Sequence, residues 1–327
     1  MSEIYQQSVG GGILTIETGE LAQQAGGAVT VSYGDTVVLV TACASKEPRE
    51  GTDFLPLTID YEERLYAAGK IPGGFIRREG RPSQEAILVN RLTDRSLRPL
   101  FPKNFHHETQ VVITVLSADQ ENDPDTLAVI GASAALSISD IPFDGPIGAV
   151  RIGYINGELV INPTFTQLQN SLIDVVVAGT KSAVVMVEGG AREVPEELTM
   201  EAIKLGQKTN QDIIQLQDQL SQAHSKTKLK FETSEVSSEV EVAVTSILDG
   251  RIAEAINIKG KTQREEMLAA LKNELLEKLE ETYSPQDILS AFTSKVRASM
   301  RANILEKSHP PVVRDLPEIR PITCEVG

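Results

Sequence analysis

Apolar residues alternate with polar ones in several short stretches within the first 120 residues. Val, Ile and Thr dominate these stretches, and Gly, Asp and Ser bound them, a pattern typical of half-buried β-strands. Gly34-Asp35 separates two of the stretches and predicts a hairpin turn. The pattern therefore predicts a β-sheet with strands in ILTIETG (13–19), AVTVSYGDTVVLVTACAS (28–45) and TQVVITVLSA (109–118).

Two segments break the alternation and indicate helices. The first begins at Pro82-Ser83, shows helical spacing of its leucines and isoleucine, and ends before Pro99. In the second, Asp123 can cap the helix and Pro124 occupies its first position. Because this second helix, NDPDTLAVIGASAALSISD, is almost wholly apolar or small, we expect it to be buried on all sides.

Strand patterns resume after residue 147 and give way to helices near residue 190. Asn156-Gly157 predicts a second hairpin, two more strands follow, and 194–226 reads as a closing amphipathic helix. From about 234 to 308 the whole sequence is helical in pattern, with breaks at Gly250, Lys259-Gly260-Lys261 and Ser284-Pro285. The fold class predicted is α+β followed by a small all-α domain.

The overall composition is that of a soluble globular protein. Hydrophobic residues make up 41% and charged residues 24% of the 327 positions, and no uninterrupted apolar run approaches the ~18 residues of a spanning helix. The sequence holds two cysteines, and its beginning lacks a basic segment followed by an apolar one. These features favour a cytoplasmic setting and no membrane partner.

A net charge of −15 argues against wrapping of nucleic acid by the whole surface, since such binding depends on Lys and Arg. Between Gly73 and Lys103, however, the sequence contains seven basic residues and only three acidic ones. Within this region Phe75 and Arg77-Arg78 lie between glycines, and a ring beside two guanidinium groups suits single-stranded nucleic acid. The alternative is a solvated charged turn.

Three further arginines follow at helical spacing. Arg91, Arg95 and Arg98 are placed to share one face of the first predicted helix. They could contact phosphates. The alternative, equally compatible with the spacing, is a set of ion pairs within the protein, with these acidic partners: Asp60, Glu62, Glu63 or Asp94.

No metal or catalytic centre is evident from residue types and order. The acidic stretch DQENDPD could hold Mg²⁺ through oxygens, although helix capping explains Asp123 and Asp125 more simply. The histidines lack the spacing of a zinc site, and AAGKIPGG lacks the spacing of a phosphate-binding loop. The oxygen ligands considered for Mg²⁺ are Asp119, Glu121, Asp123 and Asp125.

Three long segments resemble one family. TIETGELAQQAGGAVTVSYGDTVVLVTA, DFLPLTIDYEERLYAAGKIPGGFIRREGRPSQEAILVNRLTDRSLRPLFPKNF and LIDVVVAGTKSAVVMVEGGA are similar to the first half of the bacterial polynucleotide phosphorylases, within the ribonuclease PH superfamily. The resemblance extends in order over nearly the whole chain. It implies a ribonuclease-PH-like core with a β-sheet like that of ribosomal protein S5 domain 2.

The resemblance also implies domain boundaries. The first core is expected at 1–229, with an N-terminal part at 1–145 and a C-terminal part at 146–229. An all-helical linker domain is expected at 230–308. Residues 309–327 are then a proline-rich connector and the first strand of a second core that these 327 residues do not include.

Members of this family degrade single-stranded RNA from its 3′ end, with inorganic phosphate as co-substrate and Mg²⁺ as cofactor, and release nucleoside diphosphates. The resemblance implies a cytoplasmic, trimeric nucleotidyltransferase that acts in RNA processing and mRNA degradation, with partners in RNA-degradation complexes. The family pattern near residue 75 has two phenylalanines, so Ile76 removes one stacking ring. The residues expected to bind RNA are Phe75, Ile76, Arg77, Arg78, Arg81, Arg91, Arg95 and Arg98.

The resemblance places the catalytic apparatus and metal in the second core, so no catalytic or metal-binding residue is assigned in this chain. In NDPDTLA carboxylates stand where the second core presents serines to phosphate, and like charges repel. Asp174 stands alone where that core has clustered aspartates, and is expected to be structural. We therefore expect RNA binding with little phosphorolysis; the alternative is a non-catalytic RNA-binding or scaffolding subunit.

Overall fold

The computed structural model divides the chain into two compact units, Met1–Thr233 and Ser234–Gly327. It describes residues 2–49, 52, 54–73, 79–231, 237–248, 250–258, 260–307, 319 and 321–326. The first unit is built from two sheets with helices packed on them, and the second from helices. No helix among the described residues is both long and apolar enough to cross a membrane.

Six strands form the larger sheet of the first unit. They are β1 (Glu3–Val9), β2 (Gly12–Thr18), β3 (Gly27–Tyr33), β4 (Thr36–Pro48), β5 (Leu57–Glu63) and β6 (His107–Ser117). Their order is β1-β2-β3-β4-β6-β5, with β5 parallel to β6 and every other pair antiparallel. The predicted hairpin at Gly34-Asp35 joins β3 to β4 and is confirmed.

Four strands form the smaller sheet. They are β7 (Gly148–Ile155), β8 (Glu158–Ile161), β9 (Ile173–Gly179) and β10 (Val184–Ala191), in the order β10-β9-β7-β8. Asn156 and Gly157, both with positive φ, form the turn between β7 and β8, as the sequence predicted. The end of β7 and the start of β9 lie side by side, which brings residues 151 and 174 to the same part of the sheet.

Four helices accompany the two sheets: α1 (Gln84–Leu97), α2 (Pro124–Ile138), α3 (Phe165–Leu168) and α4 (Glu196–His224). Helix α2 contacts β3 and β4 of the larger sheet, β7 of the smaller one, and both α1 and α4. Every residue from Asp125 to Ile138 is buried, which confirms the predicted all-round burial. A Cβ at Gly131 would lie 2.5 Å from Val40 Cγ2, so the missing side chain permits this close approach.

Two strands of the larger sheet were not predicted individually. Strand β1 is largely exposed and β5 carries several charged residues, and the two form opposite edges of the sheet. An edge strand contacts fewer apolar neighbours, which explains the weak alternation of β1. Strand β5 does alternate, with Leu57, Ile59 and Tyr61 buried, so its signal was present and was overlooked.

The second unit contains α5 (Ser238–Leu248), α6 (Arg251–Ile256), α7 (Lys261–Leu279) and α8 (Pro285–Lys307). The boundaries between these helices coincide with the three predicted breaks. Their core includes Val244, Leu275 and Ile288, which are fully buried. The predicted fold class, an α+β core followed by helices, is confirmed.

Candidate nucleic-acid interface

Helix α1 begins where the sequence predicted. The Ser83 hydroxyl accepts a hydrogen bond from the backbone N–H of Ala86 at 2.9 Å and donates one to the Glu63 carboxylate at 2.9 Å. The first contact caps the helix, and the second ties its start to the end of β5. Together they fix the direction in which the arginines of α1 project.

Arg98 is engaged within the protein. Its guanidinium donates to the Asp94 carboxylate at 2.9 Å, to the Leu55 carbonyl at 3.0 Å and to the Leu57 carbonyl at 3.1 Å. These bonds join the end of α1 to the segment that enters β5. Arg95 forms an ion pair with Glu188 of β10, so it links α1 to the smaller sheet.

Arg81 and Arg91 differ from these two arginines. Both side chains are exposed, and neither makes a hydrogen bond or an ion pair with any residue that the structure describes. An exposed guanidinium without an internal partner keeps all five donors available for an anion such as phosphate. Among the described arginines near residues 74–78, Arg81 and Arg91 are therefore the two whose donors are available to an anion.

The acidic partners considered from the sequence are mostly engaged elsewhere. Asp60 accepts from Gln110, Glu62 pairs with Arg64, and Glu63 accepts from Ser83. Of the four partners, Asp94 is the one that pairs with an arginine of α1 in the described part of the chain. Internal ion pairs thus account for Arg95 and Arg98, whereas phosphate contact stays open for Arg91.

The basic loop at 74–78, with Phe75, Ile76 and Arg77-Arg78, lies outside the described residues, but both of its flanks are described. On the far flank, Glu79 accepts a hydrogen bond from Arg64 at 2.8 Å and another from the Leu65 backbone N–H at 2.8 Å. The bond from Arg64, with that from Leu65, lowers the pKa of Glu79. These contacts hold Glu79, the first described residue after 74–78, against residues 64 and 65.

A cavity of about 740 Å³ lies beside the flanks of this loop. Lys70 and Arg81 line it, and neither side chain has a hydrogen bond or ion pair to another described residue. The Lys70 segment lacks phosphate-loop spacing, so no local motif marks this lysine. Three glutamates, Glu62, Glu63 and Glu79, also line the cavity, so its charge is mixed.

A second cavity, of about 430 Å³, is acidic. Asp123 caps α2 as predicted, accepting from the Asp125 backbone N–H at 3.1 Å. The guanidinium of Arg151 then bonds to Asp125 at 2.6 Å and to Asp123 at 3.0 Å, and also pairs with Asp174. The carboxylates that line this cavity are those of Glu63, Glu85, Asp123, Asp125, Asp174 and Glu188.

The charged groups of this cluster shift the pKa values of their neighbours. Burial, with the neighbouring Asp123 carboxylate, raises the pKa of Asp125 to about 7, although Arg151 acts in the opposite direction. Burial alone would lower the pKa of Arg151, but the three carboxylates raise it above its usual value. Arg151 therefore stays charged while the cluster as a whole remains negative, which repels phosphate.

Asp174 forms an ion pair with Arg151, a partner that its sequence context does not reveal. Arg151 lies 23 residues from Asp174 and 26 from Asp125 along the chain. A single arginine inside the β7 pattern gives no spacing signal, because its partners meet it only through the folding of two sheets and a helix. The structure thus supplies the residue that neutralises part of the cluster.

The acidic stretch before α2 is also internally satisfied. Asp119 accepts from the backbone N–H groups of Glu121 at 2.9 Å and Asn122 at 2.8 Å; these bonds, against an opposing effect of burial, lower the pKa of Asp119 to about 2. Glu121 accepts from Thr166. Among the described residues, no group of three or more His, Cys, Asp or Glu side chains is arranged to hold a metal. These oxygens do not fit a Mg²⁺ site.

Three family models match the chain in succession. Residues 13–142 match the 3′ exoribonuclease family, domain 1, and residues 145–209 match domain 2 of the same family. Residues 239–310 match the model described as polyribonucleotide nucleotidyltransferase, RNA binding domain.

Curated relatives agree with these matches. The chain is 51% identical over 323 residues to the polyribonucleotide nucleotidyltransferase of Dehalococcoides mccartyi, covering 99% of this chain and 45% of that protein. It is 49% identical to the enzyme of the same name from Heliobacterium modesticaldum, covering 99% of this chain and 46% of that protein. The chain thus spans about half the length of the relatives it matches.

Rice Rrp46 resembles this chain in fold, with a TM-score of 0.52 and 15% identity over 68% of this chain and 94% of that protein. At this identity the likeness concerns the fold alone. It supports the ribonuclease-PH-like arrangement of the two sheets and their helices.

Proposed function

The chain belongs to the 3′ exoribonuclease family, and we propose that it serves the phosphorolytic degradation of single-stranded RNA from the 3′ end. In this reaction inorganic phosphate attacks the terminal phosphodiester bond, and a nucleoside diphosphate leaves while the RNA is shortened by one nucleotide. The observation that carries the proposal is the match of three family models in order along the chain, in agreement with the names of its relatives.

Within this reaction the 327 residues bind RNA. Arg81 and Arg91, exposed and unpaired among the described residues, contact phosphates, and Lys70 contributes from the cavity that it lines together with Arg81. The RNA-binding residues that we propose also include Phe75, Ile76, Arg77 and Arg78, which lie outside the described residues. Arg95 and Arg98 belong to the RNA-binding surface through α1, which their internal bonds hold in place.

The catalytic centre lies in the part of the relatives that this chain does not cover. The acidic cavity supports this proposal, because the Arg151 cluster already occupies the N-terminal end of α2, where a helix would otherwise attract an anion. The Mg²⁺ that assists phosphoryl transfer is bound outside these residues too.

The remaining features follow from the same family membership. We place the protein in the cytoplasm, in a trimer that acts in mRNA degradation and associates with other RNA-degrading proteins. The domains are a first core at 1–229 (1–145 and 146–229), a helical domain at 230–308 and a connector at 309–327 that leads into a second core. The alternative is a non-catalytic RNA-binding or scaffolding subunit, which the acidic cavity favours because its carboxylates repel phosphate.

Replacement of both free arginines tests the binding surface. Arg81→Gln with Arg91→Gln should lower the affinity for a single-stranded RNA about tenfold, since two phosphate contacts are lost. The slope of log affinity against log salt concentration should become shallower by about 1.4. Fluorescence anisotropy at several salt concentrations measures both quantities. The matched control, Arg49→Gln with Arg192→Gln, removes the same charge from exposed side chains elsewhere and should bind as the unmodified chain does.

A phosphorolysis assay tests the assignment of roles. The chain is incubated with single-stranded RNA, Mg²⁺ and inorganic phosphate, and nucleoside diphosphates are separated by chromatography. We expect RNA to be retained and little or no diphosphate to form. Clear phosphate-dependent release would contradict the proposed division between binding and catalysis.

A further inference from the structure

Helix α8 of the second unit has one buried face and one exposed face. Ile288, Ala291 and Phe292 are buried in the helical core, and Val296 and Met300 pack against it. Residues on the opposite side recur at helical spacing and are exposed. This outer face comprises Ser290, Ser294, Arg297, Arg301 and Leu305.

Charge is distributed unevenly among the helices of this unit. In α7, Lys278 pairs with Glu274, which also pairs with Arg251 of α6, and Lys261 pairs with Glu265. Lys272 of α7 is exposed and makes no ion pair with a described residue. The outer face of α8 has no acidic residue, because none occurs between Asp287 and Glu306.

Arg297 and Arg301 differ from Lys261 and Lys278 of α7, which have acidic partners. Neither makes a hydrogen bond or an ion pair within the described ranges, and both are exposed. They are four residues apart, which places their Cβ atoms about 6 Å from each other on one face. Two unpaired guanidinium groups thus point outward side by side from a chain of net charge −15.

We propose that the outer face of α8 binds the phosphodiester backbone of single-stranded RNA through Arg297 and Arg301. This inference rests on the proposed function and extends it, since the family model covers residues 239–310 without specifying a surface. Charge complementarity decides the partner, because forked guanidinium donors match phosphate oxygens and the face carries nothing that would repel them.

The turn beyond Arg301 favours a single strand over a duplex. Leu305 is 68% exposed and Ile304 is 42% exposed. Apolar side chains next to phosphate-binding arginines can contact the faces of bases that are unstacked, and such bases occur in single strands. In a duplex the bases are stacked and paired, so these two side chains would gain nothing.

The test is a comparison of RNA affinity between charge-matched variants of the whole chain. Arg297→Gln with Arg301→Gln should weaken binding of a single-stranded RNA about tenfold and reduce the salt slope by about 1.4. The control, Lys261→Gln with Lys272→Gln, removes the same charge from exposed positions on α7 and should leave both quantities unchanged. Circular dichroism verifies that each variant retains its helices.

The outcomes separate this inference from the proposed function. If the α8 variant binds RNA as its control does while Arg81→Gln with Arg91→Gln weakens binding, the α8 surface is overturned and the proposed function stands. If the α7 control weakens binding equally, the effect is one of general charge and the inference also fails. If the chain binds no single-stranded RNA, the RNA-binding role fails together with this surface. Equal losses for duplex and single-stranded RNA would overturn the single-strand preference.

Discussion

Arg151→Met should lower the free energy of unfolding of the first unit by about 3 to 5 kcal/mol at pH 8. The Arg151 guanidinium is 14% exposed and bonds to three carboxylates, of which that of Asp125 is 8% exposed. Methionine fills much of the space but supplies no positive charge. Removal of the cation therefore leaves several buried or half-buried carboxylates that repel one another. An uncompensated buried charge of this kind lowers the free energy of unfolding strongly.

The loss should depend on pH in a defined direction. Burial raises the pKa of Asp125 to about 7, above its unfolded value, so this group favours folding most at low pH and that contribution disappears as the pH rises through about 7. Without Arg151 the pKa of Asp125 rises further, and the carboxyl is protonated at pH 5.5. We therefore expect the destabilisation to be smaller at pH 5.5 than at pH 8.

Urea denaturation at the two pH values measures this effect. The chain has no tryptophan and six tyrosines, so near-ultraviolet circular dichroism of tyrosine is a suitable signal, and Tyr61 lines the acidic cavity itself. Arg192→Met is the control, because that arginine is exposed. A loss for Arg151→Met no larger than the control, or one that grows as the pH falls, would show that the cluster does not act as described.

Where an element has a strong local signal, the sequence was sufficient to predict it. Helix α2 has a capping aspartate, a proline at its first position and an unbroken apolar body, and each of these acts within a few residues. Strand β1 has a weak signal, because an edge strand is stabilised by one neighbour and tolerates polar residues. Strand β5 alternates apolar and polar residues and could have been predicted from the sequence.

The candidate site could be predicted only in part. The local excess of arginines between residues 73 and 103 indicated a basic surface, but spacing alone could not separate Arg91 from Arg98. The two arginines differ because Arg98 donates to the carbonyls of residues 55 and 57. No helical pattern in the sequence reveals these contacts. Arg151 shows the same limit, since its partners lie on two other elements.

Helix α2 is held by a cation at each end. At its N-terminal end Arg151 bonds to Asp123 and Asp125, and at its C-terminal end Lys228 donates to carbonyls of the last turn and the residue beyond. Buried helix ends need such partners because their last carbonyls have none within the helix. The segment after α4 therefore supplies hydrogen-bond donors to the C-terminal end of α2.

Lys228→Met should accordingly destabilise the first unit by about 2 kcal/mol. The Lys228 ammonium lies 3.1 Å from the Leu136 carbonyl, 3.0 Å from that of Ser137 and 2.8 Å from that of Ser139, and is half-buried, so water replaces only part of what is lost. Lys230→Met, two residues on and exposed, is the control and should change stability little. If both variants unfold at the same urea concentration, the carbonyls at the end of α2 are satisfied without Lys228, and the stability of this buried helix depends on its apolar packing and on the Arg151 cluster alone.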